Sequence, residues 1–328
     1  MMSTTRRGVI AAIAATAVLA AAPLGAFAQS YPDKPIRLVV PFPPGGGADT
    51  LARLVMQRVS VDLGQNIVID NRPGAGGNLG AQIVAKSAAD GYTLLYGTNG
   101  THGINKWLYK QIGYDPQKDF QPVTKMTRIA AMMVVRNDFP AKTMAELLAL
   151  VKANPGKYTF ASAGNGTTSH LSMEILKQTA GLDIQHIPYR GGAQALADLM
   201  GGRIDMMLDV MPNTAPQAKA GRVRPLAVSS AKRLESHPDL PTIAESGIAG
   251  FDVVAWDGIY APAGTPRPIV DRLNASIIKV LKEPELRKNL IERGSEPMAG
   301  TPEEHAAYIE KELQMWKPAV EKSGARID

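Results

Sequence analysis

The chain has 328 residues, with 36 Lys and Arg against 30 Asp and Glu, and it contains no cysteine. The formal net charge of +6 is mild and no run of basic residues occurs, which argues against a nucleic-acid-binding protein. Without cysteine there can be no disulfide bond and no lipid anchor on a cysteine, so stability must come from a hydrophobic core. The length is sufficient for such a core and is more often divided into two domains than one.

The N-terminal segment 1–28 has the pattern of a cleavable signal peptide. Arg6 and Arg7 precede a long apolar, alanine-rich run, and an Ala-Phe-Ala cleavage site follows at 26–28. We therefore expect export and cleavage after Ala28, which lowers the net charge from +6 to +4. An uncleaved membrane anchor is the alternative, and the export route (general secretion or twin-arginine) stays open.

Beyond the signal peptide, strand-like and helix-like segments alternate. The strands are predicted at 36–40, 67–70, 93–97, 130–135, 159–163, 183–188, 204–210, 224–229 and 251–260. The helices are predicted at 49–63, 78–86, 102–109, 144–153, 168–180, 193–200, 213–220, 268–282, 284–293 and 302–322. Such alternation predicts parallel sheets with helices on both faces.

These segments group into two units, one beginning at residue 36 and the other near residue 128. The late strand and the closing helices have no strand partners of their own, so we expect them to return to the first unit. The prediction is therefore one lobe over 29–127 plus 252–328 and a second lobe over 128–251. Ligands favour the cleft between two such lobes.

Four loops between a strand and a helix start are candidates for a binding site: 41–50, 74–80, 97–102 and 161–170. The first turn of a helix offers unpaired N–H groups and partial positive charge, so such loops can bind an anion. No Lys follows the glycines of the first loop, which excludes a P-loop, and the second loop departs from the dinucleotide fingerprint. The alternative is that these loops only form turns, with Asp49 as an N-cap.

The residues that we expect to contact a ligand come from the first, third and fourth loops and from the end of one strand. They are Phe42, Pro43, Gly45, Gly46, Gly47, Ala48, Asp49, Asn99, Thr101, His102, Ala163, Gly164, Asn165, Gly166, Thr167, Thr168 and Asp209. We expect Gly46→Val or Asp49→Pro to abolish binding.

The role of Asp209 stays open, because its carboxylate could receive an ammonium or amide group of a ligand or could bond nearby backbone N–H groups. His170 and Glu174 share a helix face and could start a metal site, but no third ligand has suitable spacing. His102 and His170 are candidate general bases without a nucleophile and orienting partner. We therefore predict no catalytic residue, metal or cofactor.

Six segments in this order resemble one family. They are Tyr-Pro-Asp-Lys-Pro-Ile-Arg at 31–37, Pro-Phe-Pro-Pro-Gly-Gly at 41–46, Asp-Asn-Arg-Pro-Gly-Ala-Gly-Gly at 70–77, Ala-Asp-Gly-Tyr-Thr-Leu-Leu at 89–95, Pro-Tyr-Arg-Gly-Gly at 188–192 and Leu-Met-Gly-Gly-Arg-Ile-Asp at 199–205. The chain is similar, over essentially its whole mature length, to the Bug-type (TctC-like) substrate-binding proteins of the tripartite tricarboxylate transporter system.

This resemblance implies a periplasmic, monomeric Venus-flytrap protein of type II, without catalysis. Each of its two lobes would have a central, mostly parallel sheet flanked by helices. A small carboxylate would be held by residues 42–49, partly through bridging waters, and its other end would meet residues 164–168 and 209–211. The ligand class stays open among dicarboxylates, tricarboxylates, acidic amino acids, and aromatic acids or amides.

The partner implied is an inner-membrane permease. The alternative is an orphan receptor that presents its ligand state to a membrane sensor, which neighbouring genes would distinguish. A periplasmic enzyme is a third hypothesis, which product formation from a candidate acid would support.

Overall fold

Two β-sheets organise the part of the chain that begins at Lys34. The computed structural model describes residues 31–323 and 326–327, so the predicted signal peptide lies outside the described residues. The first sheet has the order β11-β4-β10-β3-β1-β2 and the second has the order β7-β6-β8-β5-β9. In chain order the strands are β1 Ile36–Val40, β2 Ile67–Asn71, β3 Thr93–Thr98, β4 Phe120–Ile129, β5 Ala131–Val135, β6 Thr159–Ser162, β7 Gln185–Pro188, β8 Met206–Val210, β9 Arg224–Val228, β10 Ala255–Pro262 and β11 Ser295–Pro297.

Helices follow most of the strands, as the alternation predicts. They are α1 Gly47–Leu63, α2 Asn78–Ala85, α3 Asn105–Leu108, α4 Met144–Lys152, α5 Thr168–Ala180, α6 Gly192–Met200, α7 Met211–Lys219, α8 Arg267–Leu281, α9 Pro284–Glu292 and α10 Pro302–Ser323. A turn of π-helix at Gly100–Ile104 occupies part of the segment predicted as one helix over 102–109. None of the helices in the described part of the chain has the length and apolarity that crossing a bilayer requires.

The second sheet is buried on both faces because β5 is apolar throughout. Ala131, Met133 and Val135 pack on one side with residues of α4 and α5. Met132 and Val134 pack on the other side with residues of α6 and α7. This arrangement, with helices covering both faces, fixes the ends of the strands and therefore the loops that follow them.

The return of the late strand to the first sheet is confirmed. β10 lies between β3 and β4 and is antiparallel to both, with Asp257 opposite Thr98 of β3 and Thr127 of β4. The chain thus passes from the first sheet to the second between β4 and β5, and back between β9 and β10. The exact lobe boundaries stay a prediction.

Two strands, β4 and β11, were not predicted from the sequence, and both add antiparallel pairing to the first sheet. β4 contains Pro122 and mixes polar with apolar residues, so it lacks the apolar run that identified the other strands. β11 has only three residues. Both strands pair antiparallel with their neighbours, and β5 does the same in the second sheet. The two sheets are therefore mixed. Within them, β1 pairs parallel with β2 and β3, and β6 pairs parallel with β7 and β8.

Buried histidines make the fold sensitive to acid. His305 is 1% exposed, neither of its ring nitrogens has a hydrogen-bond partner, and burial, followed by the charge of Lys125, lowers its pKa to about 3. Between its ordinary pKa of 6.5 and pH 5 the unfolded chain binds a proton that the folded protein does not. Stability is therefore lost as the pH falls below 6.5, by about 2 kcal/mol at pH 5 for this group.

We expect His305→Leu to remove this loss. Urea unfolding at pH 8 and pH 5 should show a drop in unfolding free energy that is about 2 kcal/mol smaller in the variant than in the wild type. An equal drop in both proteins would show that His305 does not contribute to the acid sensitivity.

Candidate functional site

A cavity of about 310 Å³ lies between the two sheets, at the carboxyl ends of several strands. Ligands of open α/β sheets bind at this edge. The cavity is lined by residues that follow β1, β3, β6 and β7 and by residues of β3, β4, β8 and β10: Phe42, Pro43, Pro44, Gly46, Gly47, Ala48, Tyr96, Thr98, Asn99, Gly100, Ile129, Ala163, Thr167, Thr168, Ser169, Gly191, Gly192, Ala193, Gln194, Asp209, Val210, Ala255, Trp256 and Asp257.

Four helices begin at the cavity. The N-cap residues of α1, α5, α6 and α7 all line it, and none of them caps its helix with a side-chain hydrogen bond: Gly46, Thr167, Gly191 and Val210. The N–H groups of each first turn have no partner inside the helix, and the helix dipole adds partial positive charge there. Two of these helices follow the first and fourth predicted loops, so the loops face one cavity from opposite sheets.

The positive character of the cavity comes from the backbone. None of the described residues that line it is Lys, Arg or His. An anion bound here would be held by N–H groups and hydroxyls whose positions the helices fix, and not by a flexible cationic side chain.

Asn99 adds a directed side-chain donor to the cavity wall. Its Oδ1 accepts a hydrogen bond of 2.9 Å from the hydroxyl of Thr168, which belongs to the other sheet's side of the cavity. Among the described residues the Nδ2 of Asn99 has no hydrogen-bond partner, although the residue is only 1% exposed. A buried donor without a partner is costly, so this amide is available to an acceptor that enters the cavity.

The first loop is held in place by Asp49, which is inside α1 and is not the N-cap that the turn-only alternative assumed. Its Oδ2 accepts the N–H of Gly45 at 3.0 Å, and its carboxylate also binds Arg53 and the amide of Asn71. Burial alone would raise the pKa of Asp49, but the hydrogen bonds from Arg53, Gly45 and Asn71 outweigh it and keep the pKa below its ordinary value. The carboxylate therefore stays ionised and shapes the loop without lining the cavity.

Replacing Asp49 by Ala should cost about 1–3 kcal/mol of unfolding free energy, because the N–H of Gly45 and the amide of Asn71 lose their acceptor. Ligand affinity should fall as well, since the loop is no longer fixed. Urea unfolding and calorimetric titration of one preparation measure both effects. An Asp49→Ala variant as stable as the wild type would contradict this prediction.

Two buried carboxyls also face the cavity. Asp257 accepts hydrogen bonds from the Tyr96 hydroxyl and from the backbone and side chain of Thr127, at 2.9 and 2.7 Å for Thr127. Asp209 accepts the amide of Asn213 at 2.7 Å. Burial raises the pKa of both carboxyls to about 6, and their hydrogen bonds offset only part of that rise.

The two sides of the cavity touch each other. A Cβ on Gly191 would lie 2.7 Å from the ring of Pro43, and a Cβ on Gly47 would lie 2.7 Å from Val210 Cγ2. Tyr109 also donates a hydrogen bond of 3.1 Å to the carbonyl of Asn165 across the cleft. The described protein is therefore closed around the cavity, and glycine at 47 and 191 allows the contact.

Ten of the predicted ligand contacts line this cavity. They are Phe42, Pro43, Gly46, Gly47, Ala48, Asn99, Ala163, Thr167, Thr168 and Asp209.

The other predicted contacts lie beside the cavity. The hydroxyl of Thr101 accepts the N–H of Thr98, and His102 is stacked on Tyr260 at 3.7 Å. Gly45 and Asp49 bond to each other. Gly166 packs against Asn105, and a second cleft of about 450 Å³ includes Gly164 and Asn165.

Several lining residues were not predicted. Gly191 and Gly192 follow the same strand–glycine–helix pattern as the first loop, and that pattern could have identified them. Tyr96 and Asp257 meet only because β3 and β10 pair, 161 residues apart.

His170 and Glu174 do not form a metal or catalytic pair. The ring of His170 stacks on His186 at 4.3 Å, and its Nδ1 accepts the N–H of Gly166. Glu174 forms a salt bridge of 2.9 Å with Lys177.

The family model described as "Tripartite tricarboxylate transporter family receptor" (TctC) matches residues 51–325. The chain belongs to the TctC family. The protein BugT of Bordetella pertussis (strain Tohama I) is 34% identical to this chain over 328 residues, and the match covers 100% of both chains.

Two solved structures with bound acids resemble this TctC protein closely. Rpa4515 of R. palustris with adipate has a TM-score of 0.89 and 39% identity, covering 90% of this chain and 100% of that one. MatC from Rhodopseudomonas palustris with bound malate has a TM-score of 0.84 and 36% identity, covering 88% and 100%. The predicted Bug-type, TctC-like identity and two-lobe fold are thereby confirmed, and the chain is a binding receptor and not an enzyme.

Proposed function

We propose that this TctC-family receptor captures a small carboxylate in the periplasm for uptake by a tripartite tricarboxylate transporter. The observation that carries the proposal is the convergence of four helix N-termini on one enclosed cavity without Lys or Arg among its described lining residues. Related proteins bound to adipate and malate support the same class of ligand.

Binding would couple to closure of the two lobes. A carboxylate that meets the first turn of α1 would gain N–H donors from Gly47 and Ala48, and the opposite lobe would add Thr168 and Ser169. Closure replaces the water around the anion with these fixed donors, so the desolvation cost is offset only when both lobes contribute.

The partner and the location follow from the same proposal. The receptor would be exported with residues 1–28 as its signal peptide, and the mature protein would begin at Gln29. It would act as a monomer that delivers its ligand to an inner-membrane permease. N-terminal sequencing of the exported protein tests the cleavage after Ala28.

A panel of small acids and their uncharged analogues tests the ligand class. Malate, adipate, aspartate and benzoate would be compared with the corresponding amides by thermal shift and by calorimetric titration. At about 100 times its dissociation constant a true ligand stabilises the fold by about 2.7 kcal/mol, and its fully amidated analogue should not. A protein that responds to no carboxylate, or equally to the amides, would contradict the proposal.

The transport role needs a cellular test. Deleting the gene should abolish uptake of the acid identified in the panel, and a plasmid copy should restore it. Unchanged uptake in the deletion strain would contradict delivery to a permease, even if the acid binds the purified protein.

A further inference from the structure

The residues that line the cavity offer both hydrogen-bond acceptors and hydrogen-bond donors. Asp257 is fully buried and lies opposite Thr98 in the pairing of β10 with β3. Asn99, whose Nδ2 has no partner, is the next residue after Thr98. A carboxyl group and an unpaired amide donor therefore both line the cavity.

No positively charged side chain among the described lining residues pairs with the carboxyls of Asp257 and Asp209. Among the described residues, Asp257 receives hydrogen bonds from the uncharged groups of Tyr96 and Thr127, and Asp209, on the other side, receives them from Asn213 and the backbone of Val210. Among the described lining residues there is no Lys, Arg or His to pair with either carboxyl. The hydrogen bonds to these two carboxyls offset only part of the effect of burial on their pKa, so a ligand that brings positive charge would be favoured here.

The cavity also offers donors to a negative group. The free Nδ2 of Asn99 and the first turn of α1 on one side, and the first turn of α5 on the other, supply N–H groups. A ligand that satisfies both the carboxyls and the N–H donors needs an anionic group that accepts hydrogen bonds and a cationic group on a neighbouring atom.

We propose that this receptor takes an α-amino acid, with its carboxylate on Asn99 and the helix N-termini and its ammonium group on Asp257. This inference rests on the proposed carboxylate-binding function and narrows it to a zwitterionic ligand. The adipate and malate of the related structures lack an ammonium group, so an α-amino acid would be a different class of ligand from theirs.

Matched acids that differ at a single substituent test the inference. Three series keep the side chain and change the group on the carbon next to the carboxylate from ammonium to hydroxyl to hydrogen: aspartate, malate and succinate; alanine, lactate and propionate; phenylalanine, phenyllactate and phenylpropionate. In the series with the best-fitting side chain, calorimetric titration should give an amino acid that binds at least about tenfold tighter than the hydroxy acid, and a hydrogen analogue that binds weakest.

The variant Asp257→Asn should remove that preference. It keeps a planar side chain of the same size, so the ammonium advantage should fall by about tenfold or more while the hydroxy acid is little affected. Asp239→Asn, the same substitution at an exposed position, is the matched control and should leave all affinities unchanged. Circular dichroism and thermal melting establish that both variants are folded.

The outcomes separate this inference from the proposed function. Tight binding of hydroxy acids or unsubstituted acids with equal or weaker binding of the amino acids would overturn the zwitterion inference and leave the carboxylate receptor intact. An absence of binding by every acid in all three series would reject both. Since the wild-type comparison needs no variant, a misfolded Asp257→Asn protein would not prevent a decision.

Discussion

Gly191→Ala should weaken ligand binding by about ten- to hundredfold, a loss of about 1–3 kcal/mol, while the protein stays folded. Gly191 has an extended backbone that any residue can adopt, so the added methyl causes no backbone strain. The methyl would lie 2.7 Å from the rigid ring of Pro43, which reaches it from the other side of the cavity. The closed form is therefore disfavoured, whereas each sheet can fold as before. Calorimetric titration with the best acid from the panel measures the loss.

Gly46→Ala is the matched control for this prediction. Gly46 is also an extended N-cap glycine on the cavity wall, but a Cβ there meets only the carbonyl of Pro43, at 3.7 Å. Its affinity should stay within about twofold of the wild type. The sequence led us to expect the close approach at Gly46, whereas the geometry places it at Gly191 and Gly47. Equal affinities for Gly191→Ala and the wild type would show that the closed contact is not needed for binding.

Asn99→Asp should lower the affinity for a carboxylate by about hundredfold or more, because a donor becomes a like charge in a buried place. The substitution keeps the shape of the side chain and the oxygen that accepts from Thr168. Only the unpaired Nδ2 is exchanged, so the change isolates the proposed contact with the ligand.

Asn66→Asp makes the same chemical change at an exposed position and should have no effect on binding. The two variants can be titrated with one acid under identical conditions. If Asn99→Asp bound as tightly as Asn66→Asp, the acceptor of the ligand would not lie at Asn99.

The first loop was predictable because its information is local. An apolar strand, a run of glycines and an amphipathic helix at 36–63 are enough to place free N–H groups at one point. The alternative in which Asp49 is only an N-cap does not hold, because the helix begins at Gly47, two residues before the predicted start at Asp49, which leaves the aspartate inside the first turn. The pattern gave the type of site, but the helix start depends on the hydrogen bonds of Asp49 with Gly45 and Asn71.

The part of the cavity wall that β3 and β10 form could not be predicted in the same way. Asp257 and Tyr96 come together because β10 pairs between β3 and β4. The strand β4 was not predicted, because Pro122 and its polar residues interrupt the apolar pattern of a buried strand. Contacts between residues 161 positions apart carry no local signal. Asp209 was assigned two possible roles, and the structure gives it a hydrogen bond from Asn213 together with a place on the cavity wall.

The resemblance to the Bug-type family was confirmed, whereas the individual ligand contacts stay a proposal. Thr101, His102 and Gly166 were predicted as contacts from their place in the loops, yet in the closed protein they support neighbouring residues beside the cavity. Position in a loop therefore identifies the neighbourhood of the site, and packing decides which side chains face it.

A crystal structure of the protein with the tightest-binding acid from the panel tests the central claim most directly. We expect the ligand carboxylate in the cavity between the sheets, within hydrogen-bond distance of the N–H groups that begin α1 and α5 and of Asn99 Nδ2. Density for the acid in the second cleft, beside Gly74–Gly77 and Arg190, with the central cavity filled only by water, would contradict it.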